Sequence, residues 1–191
     1  MTVGARKGDG MTKPGLQWVA AFFFVPAVAG PAWGSEMTEA GHQVAPTGRA
    51  LEKMVLVQAP VEEVWRVWTT VEGVTSTFVS EAKIELRVGG PYEWYFLTDA
   101  PAGSRGGEGC KVLSFLPMRM LSFSWNAPPS IPKLREAGAK THVVLEFEKL
   151  EGGRTRVKFA QLGFGSGAEW DEYYAYFDRA WGSVLENLAK K

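Results

Sequence analysis

Toward the C-terminal end of the chain, large apolar residues recur at spacings of three and four. Trp170, Tyr174, Phe177, Trp181, Leu185 and Leu188 form one stripe, while Asp171, Asp178, Arg179 and Glu186 lie away from it. That period predicts an amphipathic helix with one buried face. Ser166 with Glu169 three residues on reads as a capping box at its start. Glu169, Asp171 and Glu172 near the front, with Lys190 and Lys191 at the end, follow the order a helix dipole favours. Each large apolar side chain gains about 1.5–3 kcal/mol on burial, so a stripe this aromatic demands a surface to cover it.

The preceding residues supply such a surface. Lys53 to Gln58 reads as a first strand, ended by Ala59-Pro60. Pro60 suits the first position of a helix, and Val61, Val64, Trp65 and Trp68 make its apolar stripe. A short second helix, Val71 to Phe78, follows a bend near Gly73. Beyond Ser80 the period becomes two: Ala82, Ile84, Leu86 and Val88 alternate with Lys83, Glu85 and Arg87, as in a half-solvated antiparallel strand. Gly89-Gly90 turns the chain back into Pro91 to Phe96, and Thr98 to Glu108 is a loop. Gly109 to Phe115 and Met120 to Trp125 read as a pair joined through Pro117 and Met118. Asn126 to Lys140 is a proline-bearing excursion with a helical turn around Lys133 to Ala137, and His142 to Glu148 with Thr155 to Leu162 close as a hairpin around Glu151-Gly152-Gly153. The order predicts an α+β fold: an antiparallel sheet of six to seven strands against a long C-terminal helix, with two short helices after strand one.

Composition then narrows the classes of function. The chain has 191 residues, with 21 Lys and Arg against 21 Asp and Glu. No basic surplus or Arg/Lys block is present, so the electrostatic term that dominates nucleic-acid affinity is missing. Arg6, Lys7 and Lys13 precede an apolar run from Leu16 to Ala29, and Ala32-Trp33-Gly34 supplies a small-x-small cleavage pattern. This predicts an export signal over 1–34, a linker over 35–50 and one folded domain over 51–191, with a periplasmic or secreted location. A start at Met37 would instead leave a cytoplasmic protein. The run contains Pro26 and is shorter than the roughly 20 residues of a membrane span, so none is expected after cleavage. Cleavage would leave 18 bases against 20 acids, and the single cysteine, Cys110, permits no internal disulfide.

Catalytic constellations are sparse. Gly163-Phe164-Gly165-Ser166-Gly167 has neither dinucleotide spacing nor the Gly-x-Ser-x-Gly of a nucleophile elbow. His42 in the linker and His142 at a strand start cannot assemble a zinc cluster, so neither metal nor cofactor is expected. His142 reads as an edge-strand imidazole, with a lone general base as the alternative, and Cys110 as a buried small hydrophobe. Glu93 alternates with Tyr92 and Trp94: if the aromatics face inward it is solvated, and if it faces inward it becomes an acid/base candidate. Asn126 and Gln161 are polar candidates for a cavity rim. Gly182, in mid-helix, predicts a close backbone approach or a small bend.

Ala59 to Trp65, Val88 to Trp94, and Gly109 to Val112 running on to Leu121 to Trp125 carry a family resemblance. Together with the element order they resemble the SRPBCC, or START-like, superfamily, in the branch named for the activator of heat-shock protein 90 ATPase. The resemblance implies a helix-grip fold over Leu51 to Lys191, a curved sheet wrapped around the last helix with an apolar cavity between them. It implies binding of an apolar or aromatic small molecule or a lipid, with cyclase or hydrolase chemistry in some members. Relatives often carry His-x-Gly at the end of the last strand, where this chain has Gln161-Leu162-Gly163. An exported protein is expected to meet no heat-shock ATPase client. On this basis Trp94, Trp125, Gln161, Trp170, Tyr174 and Phe177 are the ligand-binding candidates, with the first half of the helix at the mouth and Leu185 and Leu188 in closed core. Glu93 and His142 are the acid/base candidates for an enzyme. Asn126 to Lys140 would be the contact of an envelope interaction module.

Overall fold

A computed structural model of the chain describes residues 48–190. The segment expected to direct export and most of the expected linker lie outside the described residues. The strands β1 (Leu51–Val57), β4 (Val112–Leu116), β5 (Met120–Asn126), β6 (Lys140–Leu150) and β7 (Arg154–Leu162) form an antiparallel sheet in the order β1-β7-β6-β5-β4. β2 (Glu81–Ile84) and β3 (Tyr92–Tyr95) pair separately as a two-stranded sheet. Helices α1 (Val61–Thr69) and α2 (Val71–Thr75) follow β1, α3 (Pro132–Glu136) lies in the excursion, and α4 (Ala168–Ala189) closes the chain. This is the α+β helix-grip architecture.

The seven strands do not make one continuous sheet, and the break has a local cause. Beyond β3, Gly106 and Gly109 adopt φ of 145° and 68°, conformations that suit residues without a Cβ. Only isolated bridges, Pro91 to Lys111 and Tyr95 to Gly106, tie the hairpin to the next segment. The expected strand from Ala82 to Val88 likewise stops at Ile84, because Arg87 N–H donates back to Glu85 O and begins a turn.

The bend between the first helices falls at Thr70, three residues before the glycine expected to cause it. Thr70 ends α1 and caps α2, its hydroxyl accepting from Gly73 N–H at 3.0 Å. Gly73 is needed for approach: a Cβ there would stand 2.2 Å from Arg66 O.

α4 buries Tyr173, Phe177, Trp181, Leu185 and Leu188. Tyr173 thus takes the place expected for Tyr174, and Trp170 and Tyr174 are only partly covered. The capping box is not formed. Gly167 is the N-cap, with φ of 104°, and no side chain caps the helix. Ser166 therefore lies one residue too early, and the Glu169 carboxylate is paired with Lys133 at 2.6 Å. Gly165 is required because the Trp170 indole lies over it, where a Cβ would sit 2.5 Å from Nε1. No close backbone approach explains Gly182, since a Cβ there would meet nothing within 4 Å.

The layer between sheet and α4 is filled by rings. Trp94 is wholly buried, with its ring centroid 5.0 Å from Phe78, 5.6 Å from Trp68 and 5.6 Å from Trp125. Trp181 sits 4.8 Å from Phe159 and 5.1 Å from Trp125. These side chains occupy the space in which an enclosed cavity was expected.

Candidate functional site

Free volume instead lies at the flank of α4. A cleft of about 230 Å³ is bounded by Phe96, Leu97, Arg105 and Gly106 from the loop after β3, and by Trp125, Asn126, Pro128 and Pro129 from the end of β5 and beyond. Tyr176, Phe177, Ala180, Trp181 and Val184 of α4 complete it. The helical period puts those residues on one face, and the strand period aims Trp125 inward between Phe123 and the helix.

The Trp181 indole is held by a buried chain of hydrogen bonds. Trp181 Nε1 donates to Gln161 Oε1 at 2.9 Å, and Gln161 Nε2 donates to Thr141 Oγ1 at 2.8 Å. Thr141 and Tyr173 hydroxyls lie 3.0 Å apart, and each donates toward Trp125 O at 3.2 Å. Gln161, Thr141 and Tyr173 are all fully buried. A neutral network of this kind is stable in a dry interior because nearly every member finds a partner. Burial holds the Tyr173 phenol well above its ordinary value, so it stays a neutral donor.

The opposite wall is organised by charge. Glu108 accepts from the backbone N–H of Gly103 at 2.6 Å, Arg105 at 2.8 Å and Gly106 at 3.3 Å. Arg135 of α3 pairs with Glu108 at 2.9 Å and donates to the carbonyls of Gly103, Ala127 and Gly106 at 2.6, 2.5 and 3.0 Å. One ion pair therefore ties the loop after β3 to the segment after β5, the two walls that face α4. Asn126 Nδ2 adds a bond to Glu108 O at 3.0 Å.

Of the residues nominated from sequence, Trp125 and Phe177 line the cleft. Trp94 stands behind Trp125, edge to face at 82°, and Gln161 belongs to the buried chain rather than to a rim. Trp170 and Tyr174 lie at the N-terminal end of α4: Trp170 stacks on Tyr173 at 5.4 Å, and Tyr174 packs on Phe164 at 5.1 Å beneath Arg49. The cleft thus lies beside the middle of the helix, from Tyr176 to Val184.

Glu93 points away from Tyr92 and Trp94, both fully buried, and is fixed by Gly109 N–H at 2.8 Å and by the Tyr95 hydroxyl. That second bond pushes the Tyr95 phenol up to about 12. His142 is exposed, and its strand is central rather than at an edge, since β6 lies between β5 and β7. Its imidazole covers Gly163, where a Cβ would lie 3.1 Å from Nε2. Cys110 is fully buried, and burial pushes its thiol up to about 11, which makes it a poor nucleophile. Among the described residues no three His, Cys, Asp or Glu side chains gather as metal ligands.

Sequence reasoning missed Phe96, Arg105, Tyr176 and the lining role of Trp181. Arg105 carried one usable signal: it is the sole base in the Gly- and Pro-bearing stretch from Thr98 to Glu108. Nothing local marks Tyr176, which lies off the apolar stripe.

The model of the family described as "Activator of Hsp90 ATPase homolog 1-like protein" matches residues 58–191. No curated protein matches the chain. Similar solved structures include protein MLL2253 from Mesorhizobium loti, at 20% identity and a TM-score of 0.57 over 74% of this chain and 95% of that one. CalU16 from Micromonospora echinospora is 20% identical with a TM-score of 0.55, covering 75% of each chain. The AHSA1-like protein RHE_CH02687 from Rhizobium etli is 19% identical with a TM-score of 0.52, over 74% of this chain and 80% of that one. At these identities the structural likeness speaks to fold alone.

Proposed function

The chain belongs to the Activator of Hsp90 ATPase homolog 1-like family, and from that premise we propose that it is a binding protein for a small apolar or aromatic molecule, held in the cleft beside α4. The observation that carries this reading is the convergence of Phe96, Trp125, Phe177 and Trp181 on one volume, with Asn126 and Arg105 as polar groups beside them. Ligand sites are typically built this way, from apolar walls and a few directing polar atoms. The cleft's 230 Å³ is below the roughly 300–1,000 Å³ of most small-molecule sites. It therefore suits a compact molecule of one or two rings better than a whole lipid.

The enzyme reading finds less support. Glu93 is engaged by Gly109 and Tyr95 on the far side of its strand, and His142 lies exposed on β6. No Asp, Glu, His or Cys lines the cleft among the described residues. We also propose export through residues 1–34, on the charge, apolar run and small-x-small pattern found there. A heat-shock ATPase client forms no part of this proposal.

The test is direct. The protein is produced in a bacterium from its full coding sequence and purified from whole cells, extracted under denaturing conditions for mass spectrometry, and titrated with N-phenyl-1-naphthylamine. A co-purifying organic molecule or saturable quenching of tryptophan fluorescence is the expected result. An empty extract together with no saturable quenching would overturn the binding proposal. Intact mass addresses export separately: an N-terminus at Ser35 is expected, and one at Met1 or Met37 contradicts it.

A further inference from the structure

The loop opposite α4 brings an arginine to the cleft. Arg105 lines the apolar volume and is half-buried. Its Nε donates to Ala100 O at 3.2 Å, and its backbone N–H to Glu108 at 2.8 Å. The two terminal nitrogens of the guanidinium make no hydrogen bond, and no carboxylate lies within ion-pair distance, among the described residues.

The acid nearest to Arg105 in the loop is already spoken for. Glu108 takes three loop N–H groups and the Arg135 guanidinium. Three of those bonds fall on Oε2 and one on Oε1, so both oxygens of the carboxylate are engaged. Arg135 thus neutralises Glu108 while Glu108 fixes the backbone on which Arg105 stands, and no acid lines the cleft beside Arg105 among the described residues. A guanidinium with Nε anchored and both terminal nitrogens open can take a planar anion bidentately.

We infer that the ligand of this cleft is an aromatic or apolar carboxylate, its ring against Trp125, Phe177 and Trp181 and its carboxylate on the terminal nitrogens of Arg105. This rests on the binding function proposed above and adds the chemical class of the ligand. Charge complementarity supports it: a neutral ligand would leave the guanidinium's desolvation uncompensated, while an anion turns the same group into the strongest polar contact of the site.

Two probes of matched shape separate the claims, 2-naphthoate and its uncharged amide, 2-naphthamide, titrated calorimetrically into the full chain. The naphthoate is expected to bind at least about tenfold more tightly than the amide, and the difference to shrink with added salt. In Arg105→Gln the two affinities should converge to within about twofold, and an unchanged urea-unfolding midpoint reports that the variant is folded. Arg105→Lys should keep part of the preference, as a charge without the fork. Equal affinities in the unaltered protein, or a preference that survives Arg105→Gln, overturn the inference while leaving the binding function standing. If neither probe binds while N-phenyl-1-naphthylamine does, the inference falls and the binding function stands; an empty extract with no binding of any of the three probes overturns both.

Discussion

Two polar assemblies flank the cleft, and they are built on opposite plans. Behind it, Trp181, Gln161, Thr141 and Tyr173 form an uncharged chain in which Gln161 and Thr141 expose no surface. In front, Glu108 and Arg135 are charged, with 19% and 12% of their side chains exposed. An ion pair in the first place would lose several kcal/mol of hydration per ion, whereas neutral amide and hydroxyl groups lose little once paired. Partly solvated charges can do what neutral groups cannot, which is to hold several backbone groups of an irregular loop at once. The helix is therefore set by a dry neutral network and the facing loop by an ion pair, so the two walls should fail independently.

Gln161→Ala tests the first wall. It strips Trp181 Nε1 of its acceptor and Thr141 of a donor, and leaves a void beside the helix. A loss of about 3 kcal/mol in urea unfolding is expected. A loss below about 1 kcal/mol would mean that the network does not hold α4.

Arg135→Ala tests the second wall and should cost less, about 1–2 kcal/mol, because the pair is partly solvated. Its signature is local. Amides of residues 97–109 should exchange faster while those of α4 keep their protection, and probe affinity should drop with the loop. Equal loss of protection in both regions would erase the distinction between the walls.

The neutral chain also has a pH limit. The phenols of Tyr173 and Tyr92 are raised above their ordinary 10.0 by burial, and the Cys110 thiol is raised from 9.0 to about 11. In each case the folded state holds its proton more tightly than the unfolded chain. Their contribution is thus complete below the ordinary values and declines as pH rises past 9 toward the folded values. Thermal unfolding scanned from pH 7 to 11 should show a falling midpoint above about pH 9, with a shallower decline in Tyr173→Phe. A flat profile contradicts the burial argument. Smallest is Gly182→Ala, which meets no neighbour and should stabilise α4 by up to about 1 kcal/mol.

The same contrast explains what could be read from the sequence. The wall made by regular elements was largely visible: the period of α4, the strand alternation and the inward aromatics follow from local pattern. Small errors came where geometry is set by a neighbour. Tyr173 rather than Tyr174 is buried because its hydroxyl meets Thr141 and Trp125 O, and Gly167 rather than Ser166 caps α4 while Glu169 is drawn to Lys133. The loop wall was not legible. Glu108 and Arg135 are 27 residues apart, and neither spacing nor composition says that they meet. The placement of the cleft depends on that meeting, so the lining by Phe96, Arg105 and Tyr176 cannot be read from local pattern.

Ala180 lies partly buried in the wall of the cleft, on α4 one residue before Trp181. Replacing it by Phe would fill the cleft without removing any contact described above. Titration of N-phenyl-1-naphthylamine into the unaltered protein and into Ala180→Phe, with the unfolding midpoint of each recorded, asks whether this volume is where the ligand sits. A loss of at least about tenfold in affinity at an unchanged midpoint is the predicted result. Equal affinity in the two proteins would place binding elsewhere and contradict the account.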